Sequence, residues 1–291
     1  MLRSIKIKFI IVILAMISFG STHANGVVFD NLTILVSSCD KYAIFWPPFF
    51  TSLFKQWPSL LNENNAVPIL LVANSKSYID PRVKNINIPN ETSWSDNMLI
   101  ALEKVKTKYV LIALDDYWIS QRVDERRLYE VFKAMQQEDA AMLQISYNDP
   151  RYQNGAPHHR IKNLMYTNKY AQYKASLQMA IWDKESLKAI LRPNEDPWTF
   201  ELAGTARSHG YPKSFLSLSN DEPIHYINAS YQGHINPHAI KYAQQNRISF
   251  DYGDFPVLGD FNFKLHVVRW ERRAVKLFNF LKEPGKYYKF S

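Results

Sequence analysis

From Tyr109 to Leu114 the chain runs through apolar, β-prone residues and then meets two adjacent carboxylates, Asp115 and Asp116, followed by Tyr117 and Trp118. A short apolar run that stops so abruptly reads as a buried strand. In an open α/β sheet, ligands bind beyond the carboxyl ends of the strands. Two carboxylates at such an end are hard oxygen ligands for Mg2+ or Mn2+, ions that commonly hold a phosphate as well. Asp also caps turns after strands, so the pair alone does not separate a metal site from a turn.

The sequence around this strand alternates. Leu32 to Ser37 reads as a first strand, ending in the small polar turn Ser37-Ser38-Cys39-Asp40. A helix carrying Phe45, Phe49, Phe50, Leu53 and Phe54 follows, with Pro47 and Pro48 in its first turn, where proline is tolerated. Pro68 to Ala73 is a second strand ending at Asn74, and Val83 to Ile88 a short third. Ser93 or Ser95 caps a helix whose Met98, Leu99, Leu102 and Val105 form one apolar face. Alternation of this kind predicts an α/β fold, a single domain with a mostly parallel central sheet flanked by helices. Beyond Asp116 the pattern loosens. Helices are expected over 123–137 and 197–209 and from about Pro237, a strand over 141–146, and mixed signals over 176–191. This later region is expected to be an irregular, acceptor-side C-terminal part.

With 291 residues, 46% hydrophobic and 21% charged, the chain can bury an ordinary core. The formal charge of +8 is scattered, which suits an anionic membrane face, a nucleotide or an acidic polymer. No zinc-finger spacing or nucleic-acid fold signature is present, so no nucleic-acid partner is expected. The single cysteine, Cys39, excludes an internal disulfide and a Cys-based zinc site. At the start, Arg3, Lys6 and Lys8 precede an apolar run from Phe9 to Phe19 and the small-residue stretch ending at Ala24. That is the layout of a secretory signal peptide or a short anchor. Residues 1–28 are therefore set apart, 29–260 form the expected domain, and 261–291 are a basic, aromatic tail.

Strand ends of a parallel sheet converge on one edge. A nucleotide is expected there on Ser37, Ser38, Asp40 and Asn74, beside Asp96, with its phosphates toward Asp115 and Asp116 through Mn2+ or Mg2+. No G-x-G-x-x-G follows the first strand and no G-x-x-x-x-G-K-[ST] exists, so neither a dinucleotide fold nor a P-loop fits. No G-x-S-x-G elbow supports serine hydrolysis either.

Three stretches in order, Ile34-Leu35-Val36-Ser37-Ser38-Cys39-Asp40-Lys41-Tyr42, Trp94-Ser95-Asp96 and Leu114-Asp115-Asp116-Tyr117, resemble bacterial GT-A-fold glycosyltransferases of surface-polysaccharide synthesis. Ser176-Leu177-Gln178 with Ile181-Trp182, and Pro197-Trp198-Thr199-Phe200-Glu201, are similar to that group's later landmarks. The resemblance implies a GT-A-like domain, a nucleotide-sugar donor and a divalent metal on its diphosphate, held by a D-x-D-type motif. This chain has adjacent Asp115-Asp116 instead. For the catalytic base, an inverting transfer needs a carboxylate within reach of the acceptor hydroxyl. Glu201, in aromatic surroundings that raise a carboxyl pKa, is the first candidate, with Asp196 and Glu195 as rivals. Gln178, Trp182 and Trp198 are expected to line the acceptor site. His225, His234 and His238 are possible further metal or phosphate contacts, though a histidine is more often structural.

The expected function is metal-dependent transfer of a sugar from a nucleotide-sugar donor to a hydroxyl of a glycan or lipid-linked acceptor. Two alternatives stay open: a secreted, non-catalytic carbohydrate-binding protein on the same fold, and a metal-dependent phosphoryl-group enzyme. The location is expected to be membrane-associated on the cytoplasmic, donor side, the basic tail resting on an anionic membrane surface. The exportable look of the N-terminus argues for the opposite side.

Overall fold

A computed structural model of the protein describes residues 28–62, 67–90, 92–146 and 155–259. The signal-like segment and the basic tail lie outside the described residues. Among the described residues no helix is long and apolar enough to cross a membrane.

Nine strands form one sheet. In chain order they are β1 (Leu32–Ser37), β2 (Ile69–Ala73), β3 (Val83–Asn87), β4 (Tyr109–Leu114), β6 (Met142–Gln144), β7 (Ala156–Pro157), β8 (Leu164–Tyr166), β9 (Ala180–Asp183) and β10 (Phe215–Leu218). Across the sheet the order is β3-β2-β1-β4-β9-β6-β10-β8-β7. Seven of the nine point the same way, and only β9 and β8 are reversed. The remaining short strands pair among themselves: β5 (Tyr117–Ile119) with β11 (Tyr226–Asn228), and β12 (Ser230–Tyr231) with β13 (His234–Ile235).

The fully buried strands are near-continuous apolar runs because both faces of the sheet are covered. Successive side chains alternate between the two faces. Ile34 and Val36 of β1, with Leu111 and Ala113 of β4, enter one core cluster, together with residues of α1 (Trp46–Gln56) and α3 (Glu125–Gln137). Leu35, Val110 and Ile112 enter the other, with residues of α2 (Trp94–Lys104) and α4 (Lys184–Ile190). The result is the expected mixed α/β architecture, a mostly parallel sheet between helices.

Helix starts follow local chemistry. Pro47 and Pro48 sit in the first turn of α1. Ser93 is the N-cap of α2, its hydroxyl accepting the Asp96 N–H at 3.1 Å. The stretch 197–208 is helical throughout and is called α5, but a π-helical turn, Phe200–Gly204, separates Pro197–Thr199 from Thr205–Ser208. A last helix, α6, spans Pro237–Asn246.

The differences from the expected pattern lie beyond Asp116. β9 is antiparallel and wedges between β4 and β6. Its four residues, AIWD, carry no mark of direction, since direction is set by connection and not by composition. β5 follows the Asp-Asp turn at once and is three residues long, too short for any period to register.

Trp182, expected to line an acceptor site, is instead a core residue. It is 0% exposed, packs at 6.1 Å from Phe200 and 5.9 Å from Phe215, and donates its indole N–H to the Ser176 carbonyl at 3.2 Å. Trp182→Ala should therefore cost about 3–5 kcal/mol of stability. Trp198→Ala, at a site 52% exposed, should cost within about 0.5 kcal/mol. Urea denaturation of both variants checks the contrast.

Candidate active site

β1 and β4 are parallel neighbours, with Ser37 paired to Leu114. The next residue on each strand is therefore also adjacent, and Ser38 meets Asp115 at the carboxyl edge. The Ser38 hydroxyl donates to Asp115 Oδ2, and the Trp46 indole N–H donates to Ser38 Oγ at 2.7 Å. The next residue, Asp116, is held from the far end of the chain. Its Oδ2 accepts the Ser230 hydroxyl at 2.8 Å, and its carbonyl accepts the Ala229 N–H at 2.6 Å. Asn236 locks this hairpin by donating to the Asn228 carbonyl at 2.6 Å and receiving the His238 N–H while capping α6.

Burial raises the pKa of both carboxyls, and the negative charge of Asp116 pushes Asp115 further up. Among the described residues no Lys or Arg pairs with either. A buried Asp115 beside a half-buried Asp116, served among the described residues by hydroxyl, indole and backbone donors, is a donor set that suits a hard divalent cation.

Glu201 lies in the π-helical turn of α5 and is 8% exposed. Its Oε1 accepts the Leu177 N–H at 2.9 Å and a longer contact from the Ser176 hydroxyl at 3.4 Å. Burial raises its pKa to about 7 despite those donors. The segment that holds it is bracketed by Tyr173 and Met179, both in the left-handed region, at φ 52° and 42°. Such backbone in non-glycine residues persists only where the surroundings impose it. Here the Ser146 hydroxyl ties the Gln178 carbonyl at 2.6 Å and the Trp182 indole ties Ser176.

Asp116 and Glu201 both act electrostatically on one aromatic pair. Tyr117 and Tyr226, diagonal partners across β5 and β11, stack at 4.5 Å and 23°. Burial pushes both phenols up, and the negative charges of Asp116 and Glu201 each push both further. Tyr231 stands beside the same cluster, raised by burial and by Asp116.

The other expected site residues divide. Ser37 is buried and its hydroxyl accepts the Trp94 indole N–H at 2.9 Å, so it adjoins Ser38 at the same edge. Asp40 and Asn74 meet each other: the Asp40 N–H donates to Asn74 Oδ1 at 2.9 Å, and the Asp40 carboxylate accepts backbone N–H groups of Asn74, Ser75 and Lys76 at 3.0–3.1 Å. Burial works to raise the Asp40 pKa, and those three donors more than offset it and hold it low. Asp40 thus anchors the loop after β2. Asp96 completes a capping exchange with Ser93 and accepts the Asn194 N–H at 3.2 Å. Its pKa is lowered first by Ser93. Asp196 is exposed and caps α5 by accepting the Thr199 N–H at 2.7 Å. Glu195 is buried in a two-pronged pair with Arg207, both contacts 2.8 Å. Gln178 is half-buried beside the Glu201 cradle, while Trp198 is exposed on the outer face of α5. The side chains of Trp46, Ser230 and Tyr226 were not among the expected site residues. A tryptophan at the first position of a helix and a Ser in a polar turn carry no signal of their own.

Glu138, His158 and His159 also bring ligand atoms within 4.8 Å of one another. They lie at the opposite edge of the sheet, since Glu138 follows α3 and precedes β6. The two imidazoles stack at 4.6 Å and 22°, so their in-plane lone pairs run side by side and do not converge. His158 Nδ1 already accepts the N–H groups of Arg160 and Ile161.

No family model and no curated protein sequence matches the chain. Among solved structures it is similar to S. aureus TarS 1–349 at 15% identity and a TM-score of 0.45, over 66% of this chain and 59% of that one. It is similar to the mannosyltransferase PcManGT from Pyrobaculum calidifontis, solved with GDP-Man and Mn2+, at 11% identity and 0.49, over 89% and 76%. It is also similar to a CMP:2-keto-3-deoxy-manno-octonic acid synthetase complexed with CTP, at 9% and 0.43, over 74% and 98%. The chain thus spans little more than half the length of TarS 1–349. Likenesses this distant assign no activity.

The raised pKa of Glu201 gives a pH signature. The folded state holds its proton up to about pH 7, whereas the unfolded chain releases it near 4.5. Between those values the native state binds more protons, so stability falls as pH rises. The loss on crossing that window is about 3 kcal/mol. Glu201→Gln should make the fall shallower by about that amount while leaving the part due to Asp115 and Asp116, as measured by urea midpoints between pH 4.5 and 7.5.

Proposed function

We propose that the chain is a metal-dependent glycosyltransferase that moves a sugar from a nucleotide-sugar donor to a hydroxyl of a glycan or lipid-linked acceptor. The observation that carries this reading is a carboxylate pair at the end of β4 with no Lys or Arg partner among the described residues, together with a separate buried Glu201 whose charge, like that of Asp116, acts on one stacked tyrosine pair. A cation-binding pair and an isolated proton acceptor are the two functions that such a transfer divides among carboxylates.

Asp115 and Asp116 would hold Mn2+ or Mg2+. A bound ion there would supply charge neutralisation for the departing donor diphosphate. Ser38 and Trp46 orient Asp115, and Ser230 orients Asp116. Glu201, with a pKa of about 7, is partly ionised at neutral pH and accepts the acceptor hydroxyl proton as the new glycosidic bond forms. Tyr117 and Tyr226 supply a flat amphipathic wall of the kind that sugars and bases pack on. The Trp94 indole, fixed by Ser37, borders the same edge.

A panel of nucleotide sugars with Mn2+ tests the reading. Asp116→Ala should abolish Mn2+-dependent nucleotide binding by calorimetry and leave the thermal midpoint close to wild type. Glu201→Gln should bind donor normally and transfer about 10²-fold more slowly. Normal donor binding in Asp116→Ala overturns the metal assignment. Donor hydrolysis that needs no acceptor points to phosphoryl chemistry, and no nucleotide binding at all points to a non-catalytic carbohydrate binder.

The same reading puts the enzyme on the side of the membrane where the donor is made. A reporter active only after export, fused at residue 30, should be silent in a bacterial host. Strong reporter activity reverses that placement.

A further inference from the structure

An open cavity of about 350 Å3 lies beside the start of β10. That is the lower end of the range in which small ligands are held. Ser214 and Phe215 line it at the amino end of β10, which runs in the same direction as β4. It therefore lies at the edge of the sheet opposite Asp115 and Asp116, and no role in the transfer uses it.

Its lining contains Lys169, Lys174, Lys213 and His209, and not one carboxylate. Lys213 has outside partners in Asp139 at 3.0 Å and Asp183 at 3.5 Å. Lys169 and Lys174 have no carboxylate partner among the described residues. Lys174 is only 6% exposed. Its Nζ donates to the Ser208 carbonyl at 2.9 Å and sits 4.3 Å from the centre of the Phe215 ring. Those contacts satisfy part of an ammonium that has three protons to donate. Beside it, His209 Nε2 is buried with no hydrogen-bond partner among the described residues. Burial and then the charge of Lys169 lower the Lys174 pKa to about 8, and burial followed by Lys174 and Lys169 lowers that of His209. Lys174, Lys169 and the His209 imidazole act on one another, and no carboxylate pairs with Lys174 or Lys169 among the described residues. A buried charge without a counter-ion is costly, and a bound anion removes that cost.

We propose that this cavity is a binding site for a phosphate-type oxyanion, free phosphate or a phosphate ester, received by Lys174 and His209 from within and Lys169 at the rim. Tetrahedral phosphate oxygens accept several charge-assisted hydrogen bonds at once, and the cavity offers donors from two sides. Lys174 belongs to the segment that cradles Glu201, and His209 follows the end of α5, so the occupant would rest against two segments of the core.

The test uses the full chain at constant ionic strength, with chloride replaced stepwise by inorganic phosphate. The wild-type thermal midpoint should rise with the logarithm of phosphate concentration above Kd, by about 5–10 °C at a hundredfold excess over Kd, and Asp116→Ala should rise equally. Lys174→Met should abolish the rise, and Lys169→Gln, a rim change with no bearing on folding, should weaken apparent binding about tenfold. Vesicles of phosphatidylglycerol against phosphatidylcholine separate the sources. Lys174-dependent binding to the former identifies a lipid headgroup, and a response to inorganic phosphate alone identifies a free anion. A flat wild-type response to both probes overturns the proposal, as does an unchanged response in Lys169→Gln and Lys174→Met. If Lys174→Met does not fold, Lys169→Gln decides.

Discussion

The carboxyl edge of this protein depends on two adjacent carboxyls, Asp115 buried and Asp116 half-buried, with only neutral donors around them among the described residues. The parallel register of β1 and β4 creates the situation, because it sets Ser38 against Asp115 one step beyond the last paired residues. A hydroxyl, an indole and a second hydroxyl then share the work of solvating Asp115 and Asp116. None of them carries a full positive charge. The field at this edge therefore remains negative, and it is felt as far as the phenols of Tyr117, Tyr226 and Tyr231.

The remaining acidic residues near the site show what a structural role looks like in the same protein. Asp40 receives three backbone N–H groups, Asp96 exchanges hydrogen bonds with Ser93, Asp196 caps a helix, and Glu195 grips Arg207. Each of these carboxylates is spent on holding chain to chain. Asp115, Asp116 and Glu201 differ because their partners leave the charge uncompensated, and burial drives their pKa values upward, whereas hydrogen bonds hold those of Asp40 and Asp96 low. The contrast is one of environment and not of residue type, which is why Asp40 and Asp115 look alike in a sequence.

That difference also marks how far the sequence could be read. β1, β2 and β4 announce themselves because strands buried on both faces must be apolar throughout, and Ser93 announces α2 because an N-cap needs a short side-chain acceptor. Asp115 and Asp116 were legible as the abrupt end of such a run. The burial of Glu201 was legible from its aromatic neighbours. The reversed β9, the brief β5 and the depth of Trp182 were not, since each is fixed by what packs against it from elsewhere in the chain. Ser230 is the extreme case: a serine in a turn acquires meaning only when the fold lays it on Asp116.

The hydrogen bond between Ser230 and Asp116 joins residues 114 positions apart. On the ribosome, where chains grow at about 5–20 residues per second, Asp116 would wait roughly 6–23 s for its partner to be made. Throughout that interval β1, β2 and β4 can already be assembled while the edge they present is half built. The order of synthesis thus separates the birth of the scaffold from that of the site. A nascent chain of this protein has its sheet before it has a place to bind anything.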